Sequence, residues 1–422
     1  MTASDAAFDP RAVASRVREA SRTLATLPTA TKNAVLRELA ARLERATPDL
    51  LAANAEDMAS ARADGLPDAK LRRLELTEGG IAQIAAGLRQ VAELPDPVGS
   101  VTRDDVVPSG LRVQKVRCPL GVIMMIYEAR PGVTIDAFAL CFKAGNACLL
   151  KGGKEAARSN EALAAIVRES LEAHGAPPDS VALITTSDRE RMRELLQLAD
   201  LIDLVIPRGG RALIDFVRAH SAIPTVQHDA GVCHAFVHAS ADLQLAERVC
   251  VTAKTSAPAT CNTLECVLID RAIAGAFVPR LLRACDQAGV EVRGDEGVRA
   301  HAEGLAVTPA TDDDWGREYL DLILAARVVD GLDGACAHIH RFASNHTDVI
   351  LAQDQAAIEA FLARVHSSCV MANASPRFND GFQLGLGAEI GISTTRLHAY
   401  GPMGLEELTT QRYVVRGSGQ TR

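Results

Sequence analysis

The chain has 422 residues, of which 48% are hydrophobic, and this is enough for two or three domains with buried cores. Its 45 lysines and arginines against 53 aspartates and glutamates give a net charge of -8, which opposes nonspecific attraction to nucleic acid or anionic lipid. The first residues lack a secretory signal, and no apolar run is long enough to cross a bilayer. We therefore predict a globular cytoplasmic protein with no nucleic-acid and no membrane partner.

The first hundred residues predict helices, and an extended hairpin follows them. Val35, Leu36, Leu39 and Leu43 recur at helical spacing, with charged residues on the opposite face. In the stretch 95–117, prolines and glycines mark turns around alternating apolar residues, a pattern typical of a β-hairpin.

Short apolar runs then alternate with helical stretches such as Ile135–Lys143 and Glu155–His174. Runs of this kind need cover on both faces, which favours a parallel sheet wound with right-handed crossovers. The pattern predicts a Rossmann-like nucleotide-binding domain. Its predicted strands are Gly121–Tyr127, Ala147–Lys151, Val181–Thr185, Asp203–Pro207 and Thr225–Gln227.

A second alternation begins near Cys233 and predicts a second α/β domain. Beyond Phe382 the chain is rich in glycine and includes a β-prone stretch, Tyr413–Val415, which could pair with the hairpin or with another subunit. The predicted strands of the second domain are Ala235–His238, Leu264–Ile269, Thr347–Ala352 and Cys369–Ala372.

The cysteines follow no disulfide or zinc pattern, since the 10 are scattered without a CxxC pair. Most should therefore be reduced and buried as small apolar groups. Cys261 differs in its surroundings, because it lies in a loop of small residues, 256–262, between a helical stretch and a strand. A thiolate held in such a loop can accept an acyl group. On local sequence alone, a buried inert thiol is the ordinary expectation for any one of the 10 cysteines.

Two turns at strand ends before helices are suited to bind an anion. Lys151–Lys154 reads Lys-Gly-Gly-Lys, in which glycines allow close backbone approach and Lys151 or Lys154 could reach a phosphate group. Pro207–Arg211 is a second anion-compatible junction. Taken alone, the first would be a solvated lysine turn, and the sequence has no GxGxxG fingerprint.

Ten motifs, in order along nearly the whole chain, together resemble the γ-glutamyl phosphate reductases, a branch of the aldehyde dehydrogenase superfamily. One motif would be weak, but a collinear set is specific. The motifs are Cys118–Ile123, Tyr127–Asp136, Lys143–Asn146, Leu150–Gly153, Ile206–Gly210, Cys261–Glu265, Glu318–Ile323, His346–Asp348, Gly385–Ser393 and Gly401–Leu405.

The resemblance implies an aldehyde dehydrogenase-like α/β fold in three parts. These are a Rossmann-like parallel-sheet cofactor domain (1–97 and 118–230), a second α/β catalytic domain (231–385), and a small β oligomerisation element (98–117 and 386–422). It also implies NADPH-dependent reduction of L-γ-glutamyl 5-phosphate to L-glutamate 5-semialdehyde and phosphate through a cysteine thioester, the second step of proline biosynthesis. A homo-oligomer and functional coupling to a glutamate 5-kinase are further expectations.

The resemblance also assigns roles to individual residues, and it assigns none to a metal ion. Cys261 is the predicted nucleophile. The predicted cofactor-binding residues are Lys151, Gly153, Lys154, Arg208, Gly209, Gly210 and Glu318, with Glu318 expected at the nicotinamide ribose. The predicted substrate-binding residues are Arg130, Asn262, Gly385 and Gly387.

Two departures from the wider superfamily bear on the chemistry. The stretch 226–231 holds no glutamate to activate water, which suits a reductase whose thioester is never hydrolysed. His228 and Asp229 there could be a base or a surface pair. The stretch 126–131 has no asparagine for an oxyanion hole, so the sequence does not specify the oxyanion donors, and the backbone N–H of Cys261 is one candidate.

Some assignments remain open between alternatives. Arg130 could bind the phosphate or a substrate carboxylate, or pair with Glu128 or Asp136. His338 and His340 stand at strand-like spacing without further ligands nearby, so we predict no metal site. A semialdehyde oxidase and a catalytically inactive homologue are the competing functions. Oligomeric state, kinetic preference between NADPH and NADH, and the residues that hold the glutamate amine and carboxylate are not specified.

Overall fold

The computed structural model describes residues 8–226 and 230–422, except the side chain of Ala69. Within these residues the chain forms two compact units. The first comprises 8–226, Leu386–Gly391 and Met403–Arg422, and the second comprises 230–385 and Ile392–Pro402. Among the described residues, no helix combines the length and the apolar composition needed to span a membrane.

The first unit begins with a group of helices. Asp9 caps the first of them by accepting a hydrogen bond from the backbone N–H of Ala12, with Pro10 at the first helical position. On the second helix, the predicted apolar face is buried. The helices of this unit are α1 Pro10–Leu24, α2 Thr29–Arg45, α3 Thr47–Ala63, α4 Asp68–Leu74, α5 Glu78–Glu93, α6 Gly132–Lys143, α7 Ala157–Ala173, α8 Arg189–Leu196 and α9 Arg211–His220.

Two sheets complete the first unit. An antiparallel sheet has the order β1-β2-β16, in which the C-terminal strand pairs with the hairpin, as the β-prone tail predicts. A parallel sheet has the order β5-β4-β3-β6. The strands are β1 Val101–Val106, β2 Arg112–Pro119, β3 Val122–Tyr127, β4 Ala147–Lys151, β5 Val181–Leu183, β6 Leu204–Arg208 and β16 Thr409–Arg416.

The second unit is built on a seven-stranded parallel sheet with the order β10-β9-β11-β8-β7-β12-β13. Helices cover both of its faces, one around Phe277 and the other around Phe361, as a parallel sheet with buried strands requires. Its strands are β7 Cys233–Val237, β8 Leu264–Asp270, β9 Glu291–Gly294, β10 Thr308–Pro309, β11 Ile323–Val329, β12 Thr347–Leu351 and β13 Cys369–Ala372. Its helices are α10 Leu243–Thr255, α11 Ala274–Gln287, α12 Glu296–Ala300, α13 Gly331–Phe342 and α14 Gln355–Arg364.

Minor elements complete the chain. Two short strands, β14 Gly391–Ser393 and β15 Gly401–Met403, form a two-stranded sheet. Single 3₁₀ turns occur at Lys154–Ala156, Pro178–Ser180, Arg271–Ile273, Asp312–Asp314 and Pro376–Phe378.

Most of the predicted strands are present within one or two residues, and the exceptions have physical reasons. Thr225 forms an isolated bridge with Val205, and Gln227, the last residue of that predicted strand, lies outside the described residues. The sequence analysis missed β9, β10 and β11, of which β9 and β10 have only 4 and 2 residues. The prediction that His338 and His340 stand at strand-like spacing is wrong, since both lie on α13.

Candidate active site

In the first unit, the predicted cofactor residues gather at the carboxyl edge of the parallel sheet. Ile126 of the central strand β3 pairs with Lys151 at the end of β4, and Tyr127 pairs with Arg208 at the end of β6. The register therefore places both cations on the two strands that flank β3. This edge, where helices begin, is the usual ligand side of an open α/β sheet.

The Lys151 turn is held by contacts of its own. The Lys151 ammonium donates a hydrogen bond of 2.7 Å to the carbonyl of Gly152, and burial lowers the pKa of Lys151 while Glu155 raises it. A Cβ added at Gly153 would lie 2.2 Å from the Glu155 carboxylate, which is the end of a flexible side chain that can move aside. Lys154 is exposed and begins the 3₁₀ turn that leads into α7.

The Arg208 turn leads into α9. Gly210 occupies the N-cap position of that helix, and both Gly209 and Gly210 are exposed. The Glu128 side chain lies beside Gly209, because its Cδ would be 3.0 Å from an added Cβ. Arg130 is exposed in the loop after β3. Exposed backbone N–H groups at a helix start, together with nearby cations, suit an anionic ligand.

In the second unit, Cys261 lies in the loop that joins α10 to β8, at the amino edge of the parallel sheet. Its backbone is covered by Gly231, where an added Cβ would lie 2.0 Å from the Cys261 carbonyl oxygen. The buried Cys233 thiol donates to that same carbonyl over 3.4 Å. The loop is thus held in place by neighbours that contact its backbone, while its own thiol is only partly buried.

Burial separates Cys261 from most of the other cysteines. Only Cys118, Cys261 and Cys369 are partly exposed, and the other seven are buried. Burial raises the pKa of Cys369 to about 11 and that of Cys285 to about 12, and it raises the pKa of Cys233 well above its ordinary value. Thiols with such pKa values stay protonated and unreactive near neutral pH.

Asn262, a predicted substrate residue, is nearly buried, at 6% exposure. Its amide nitrogen donates to the carbonyls of Arg377 (3.3 Å) and Asn379 (3.1 Å), and its oxygen accepts from the hydroxyl of Thr260 (3.0 Å). The Arg377 guanidinium donates to that oxygen and, over 2.7 Å, to the Thr260 hydroxyl. The side chain of Asn262 therefore fastens the nucleophile loop to the segment 377–379.

Glu318, predicted at the cofactor, lies close to the same loop. Its carboxylate accepts a hydrogen bond of 2.9 Å from the backbone N–H of Gly231, the residue that covers Cys261. Burial raises the pKa of Glu318, and the Gly231 N–H and Lys254 lower it in part. Glu318 thus helps to hold Gly231 against the nucleophile loop, in addition to any role toward a cofactor.

The predicted substrate glycines differ in their surroundings. Gly387, at φ +74°, packs so closely that an added Cβ would lie 2.5 Å from Leu94. Gly385, at φ +83°, has open space around it. His228 and Asp229, the alternative base and surface pair, lie outside the described residues.

A buried polar cluster also lies in the second unit. His234, Cys266 and His338 bring three potential metal ligands within 4.8 Å of one another. The prediction that His338 has no further potential ligands nearby is therefore wrong. However, Arg327 donates a hydrogen bond of 3.0 Å to Nδ1 of His338, because a guanidinium can only donate. The neutral ring then carries its proton on Nε2, the atom facing Cys266, and that atom has no lone pair for a metal.

Comparison with known proteins agrees with this geometry. A model of the aldehyde dehydrogenase family matches residues 2–302. The chain belongs to the aldehyde dehydrogenase family. As a family member it is an oxidoreductase, and the fold predicted from its motifs is confirmed.

The relatives define the branch of the aldehyde dehydrogenase family. Proteins named gamma-glutamyl phosphate reductase from Xanthomonas oryzae pv. oryzae (strain KACC10331 / KXO85) and Xylella fastidiosa (strain M12) are each 52% identical over 412 residues. The alignments cover 98% of this chain and 99% and 94% of those proteins. A crystal structure of gamma-glutamyl phosphate reductase from Thermotoga maritima matches with a TM-score of 0.96 and 41% identity, over 98% of this chain and 100% of that chain. The resemblance inferred from the motifs is confirmed.

Several residues around the nucleophile were missed by sequence reasoning, namely Gly231, Cys233, Lys254 and Glu265. One of them carried a usable signal: Glu265 interrupts the apolar run of β8, whose residues are all buried. A carboxylate in a fully buried strand requires a partner. The partner, Lys254, could not be chosen from spacing, because the loop between them has no regular geometry.

Proposed function

We propose that this enzyme reduces L-γ-glutamyl 5-phosphate to L-glutamate 5-semialdehyde and phosphate, with NADPH as the reductant, in the second step of proline biosynthesis. The observation that carries the proposal is the environment of Cys261. Its thiol is partly exposed on a loop whose backbone is covered by Gly231 and bonded by Cys233. The names of the full-length relatives support the choice of substrate.

In the proposed reaction, the Cys261 thiolate attacks the γ-carbonyl carbon, and the C–O bond to phosphate breaks to give a thioester and phosphate. A nicotinamide cofactor supplies the hydride that reduces the thioester. The resulting thiohemiacetal collapses, which releases the aldehyde and regenerates the thiolate. Covalent catalysis replaces one difficult reduction by two steps, each with a good leaving group. The Cys261 backbone N–H is the proposed donor to the developing oxyanion.

The residues at the carboxyl edge of the first unit fit a phosphorylated dinucleotide. Lys151, Lys154 and Arg208 supply positive charge, and the exposed Gly209 and Gly210 precede a helix. We propose that these residues and Gly153 bind NADPH, and that Glu318 contacts the nicotinamide ribose. The 2′-phosphate is the group that would favour NADPH over NADH at such a cationic site.

For the substrate, we propose Arg130, Asn262, Gly385 and Gly387 as binding residues. Arg130 offers a planar fork for the phosphate or the carboxylate. The Asn262 side chain is already hydrogen-bonded within the protein, so its contribution is to hold the loop that meets the substrate. Gly385 has open space around it for a ligand, whereas Gly387 lies against Leu94 and would contribute through its backbone.

We also propose the wider setting of the enzyme. The 10 cysteines, all of which the structure describes, form no disulfide, which suits the reducing cytoplasm. The sheet of β1, β2 and β16 exposes Val106, Tyr413 and Val415, which supports its use as an oligomerisation element of a homo-oligomer. The remaining parts are proposed as a cofactor domain (1–97 and 118–230) and a catalytic domain (231–385). An acyl phosphate must come from a kinase acting on the γ-carboxylate, which supports coupling to a glutamate 5-kinase.

The reverse reaction tests the proposal. Glutamate 5-semialdehyde with NADP⁺ should give NADPH only when phosphate or arsenate is added, and Cys261→Ala should abolish the reaction while the protein stays folded. NADPH formation that needs no phosphate would point to a semialdehyde oxidase. A protein without activity in either direction, whose Cys261 reacts with iodoacetamide no faster than Cys118, would be an inactive homologue.

A further inference from the structure

A buried ion pair closes the base of the nucleophile loop. Lys254 lies in the last turn of α10 and Glu265 is the second residue of β8, so the two side chains flank the loop that carries Cys261. The Lys254 ammonium donates a hydrogen bond of 2.6 Å to the Glu265 carboxylate, and both side chains are 0% exposed. Thr263 ties the same two ends together through its hydroxyl, which donates to the carbonyl of Ala253 over 2.9 Å.

The second carboxylate oxygen of Glu265 binds a residue with a strained backbone conformation. It accepts a hydrogen bond of 3.3 Å from the backbone N–H of Leu320, which has φ +54°. A non-glycine residue in this region is strained and is held there by its surroundings. Two residues earlier, Glu318 accepts the N–H of Gly231, which covers the backbone of Cys261. The ion pair is therefore linked to the nucleophile both along the loop and through the segment 318–320.

Stability alone does not explain a charged pair at this depth. Removing two charges from water costs about as much as their attraction returns, and an apolar pair of similar size is often as stable. Burial lowers the pKa of Lys254 and raises that of Glu265, so burial opposes both charges, and their mutual attraction favours both. A pair kept under these conditions, at the base of the loop with the nucleophile, has a use beyond packing.

We propose that Lys254 and Glu265 are positioning residues for Cys261: their ion pair sets the geometry of the nucleophile loop and of the segment that holds Gly231 against it. The inference rests on the proposed function only for its kinetic measurements. Neither residue is assigned a contact with the substrate.

The decisive variant is the double change Lys254→Met with Glu265→Gln. It removes both charges together and keeps an amide oxygen that can accept from Leu320. Its urea midpoint should lie closer to the wild type than that of Lys254→Met or Glu265→Gln alone, because each single change leaves a buried charge without its counterion, whereas the double change leaves only a neutral amide N–H₂ without a partner. In the double variant, kcat should fall about tenfold or more with KM changed less than threefold, as a small misplacement of a reacting group predicts.

Alkylation provides a measurement that does not depend on the substrate. The rate of iodoacetamide reaction at Cys261, followed by peptide mass spectrometry with Cys118 as the internal reference, should also fall in the double variant. The matched control is the buried Lys32–Asp96 pair in the other unit, at 2.9 Å. Lys32→Met with Asp96→Asn should leave the Cys261 rate unchanged.

Glu265→Asp covers the case in which the double variant does not fold. It keeps both charges and draws the carboxylate back by one methylene, so a folded protein with slower Cys261 alkylation and lower kcat is expected. A folded double or Glu265→Asp variant with wild-type kcat and a wild-type Cys261 rate would overturn the inference. If the wild type lacks phosphate-dependent activity, the proposed function fails, and the alkylation rates still decide the role of the pair.

Discussion

The two parallel sheets use opposite edges. In the first unit, the predicted cofactor residues follow β4 and β6, at the carboxyl edge where α7 and α9 begin. In the second unit, the Cys261 loop precedes β8 and receives the end of α10. A helix start carries partial positive charge and a helix end partial negative charge, so the first edge favours anions without further support and the second does not.

This difference explains where each unit places its cations. At the carboxyl edge, Lys154 is exposed and Lys151 and Arg208 are partly exposed, available to a ligand. At the amino edge, Lys254 is fully buried in the last turn of α10, where a cation compensates the helix end. A nucleophile that must be an anion can function at a helix end only if its surroundings supply that compensation.

The comparison predicts the largest loss of activity at Gly231, which packs against the backbone of Cys261. Gly231→Ala places a methyl group where the Cys261 carbonyl now lies, at 2.0 Å, so the loop must move. We expect kcat to fall by roughly 100-fold or more. Gly79→Ala is the matched control, since its added Cβ meets nothing within 4 Å. An active Gly231→Ala enzyme would show that the loop tolerates displacement.

A smaller effect is expected at the carboxyl edge. Arg208→Gln removes a cation from the strand end, and we expect KM for NADPH to rise about tenfold to 100-fold with kcat nearly unchanged, as for loss of one charged contact. Arg211, whose side chain is 93% exposed, provides the control in the same turn. Steady-state kinetics with NADPH and NADH would test this, and an equal loss with both cofactors would argue against a 2′-phosphate contact.

A prediction of a different kind concerns stability against pH in the second unit. Burial alone would lower the pKa of His234, but its hydrogen bond of 3.0 Å to the Asp348 carboxylate raises it to about 10. Because the folded pKa exceeds the ordinary value of 6.5, the stabilisation is complete below pH 6.5 and is lost as the pH rises toward 10. The loss should be on the order of a few kcal/mol.

Trp315 can report this change, since its ring lies 5.7 Å from His338 in the same cluster. Urea unfolding followed by Trp315 fluorescence should show the midpoint falling between pH 6.5 and 10, with a flatter profile in Asp348→Asn.

The contribution of Lys143 in the first unit should change with pH in the opposite direction. Burial lowers the pKa of Lys143 in the folded state, so its contribution to folding stability increases as the pH rises toward 10.5. Hydrogen exchange measured in each unit would distinguish the two pH dependences. If the stability of both units changed in the same direction with pH, the roles given to His234 and Lys143 would be contradicted.

Much of the fold could be predicted from the chain itself. Apolar runs such as Ala147–Lys151 stand out because a parallel strand needs cover on both faces, and the amphipathic face of α2 follows helical spacing. The collinear motifs identified the family and selected Cys261 among 10 cysteines. The two anion-compatible turns, Lys151–Lys154 and Pro207–Arg211, could be predicted because each joins a strand end to a helix and contains glycines.

Contacts between distant residues were decided only by the tertiary structure. The bonds from Gly231 to Glu318 and from Leu320 to Glu265 join parts of the second unit that are far apart in sequence. The ion pair of Lys254 and Glu265 spans an irregular loop. No local pattern contains them, because a side-chain contact depends on strand order and register, which arise from packing of the whole sheet. The sequence alone determined which residue types and elements exist. Their tertiary packing determined which groups surround Cys261.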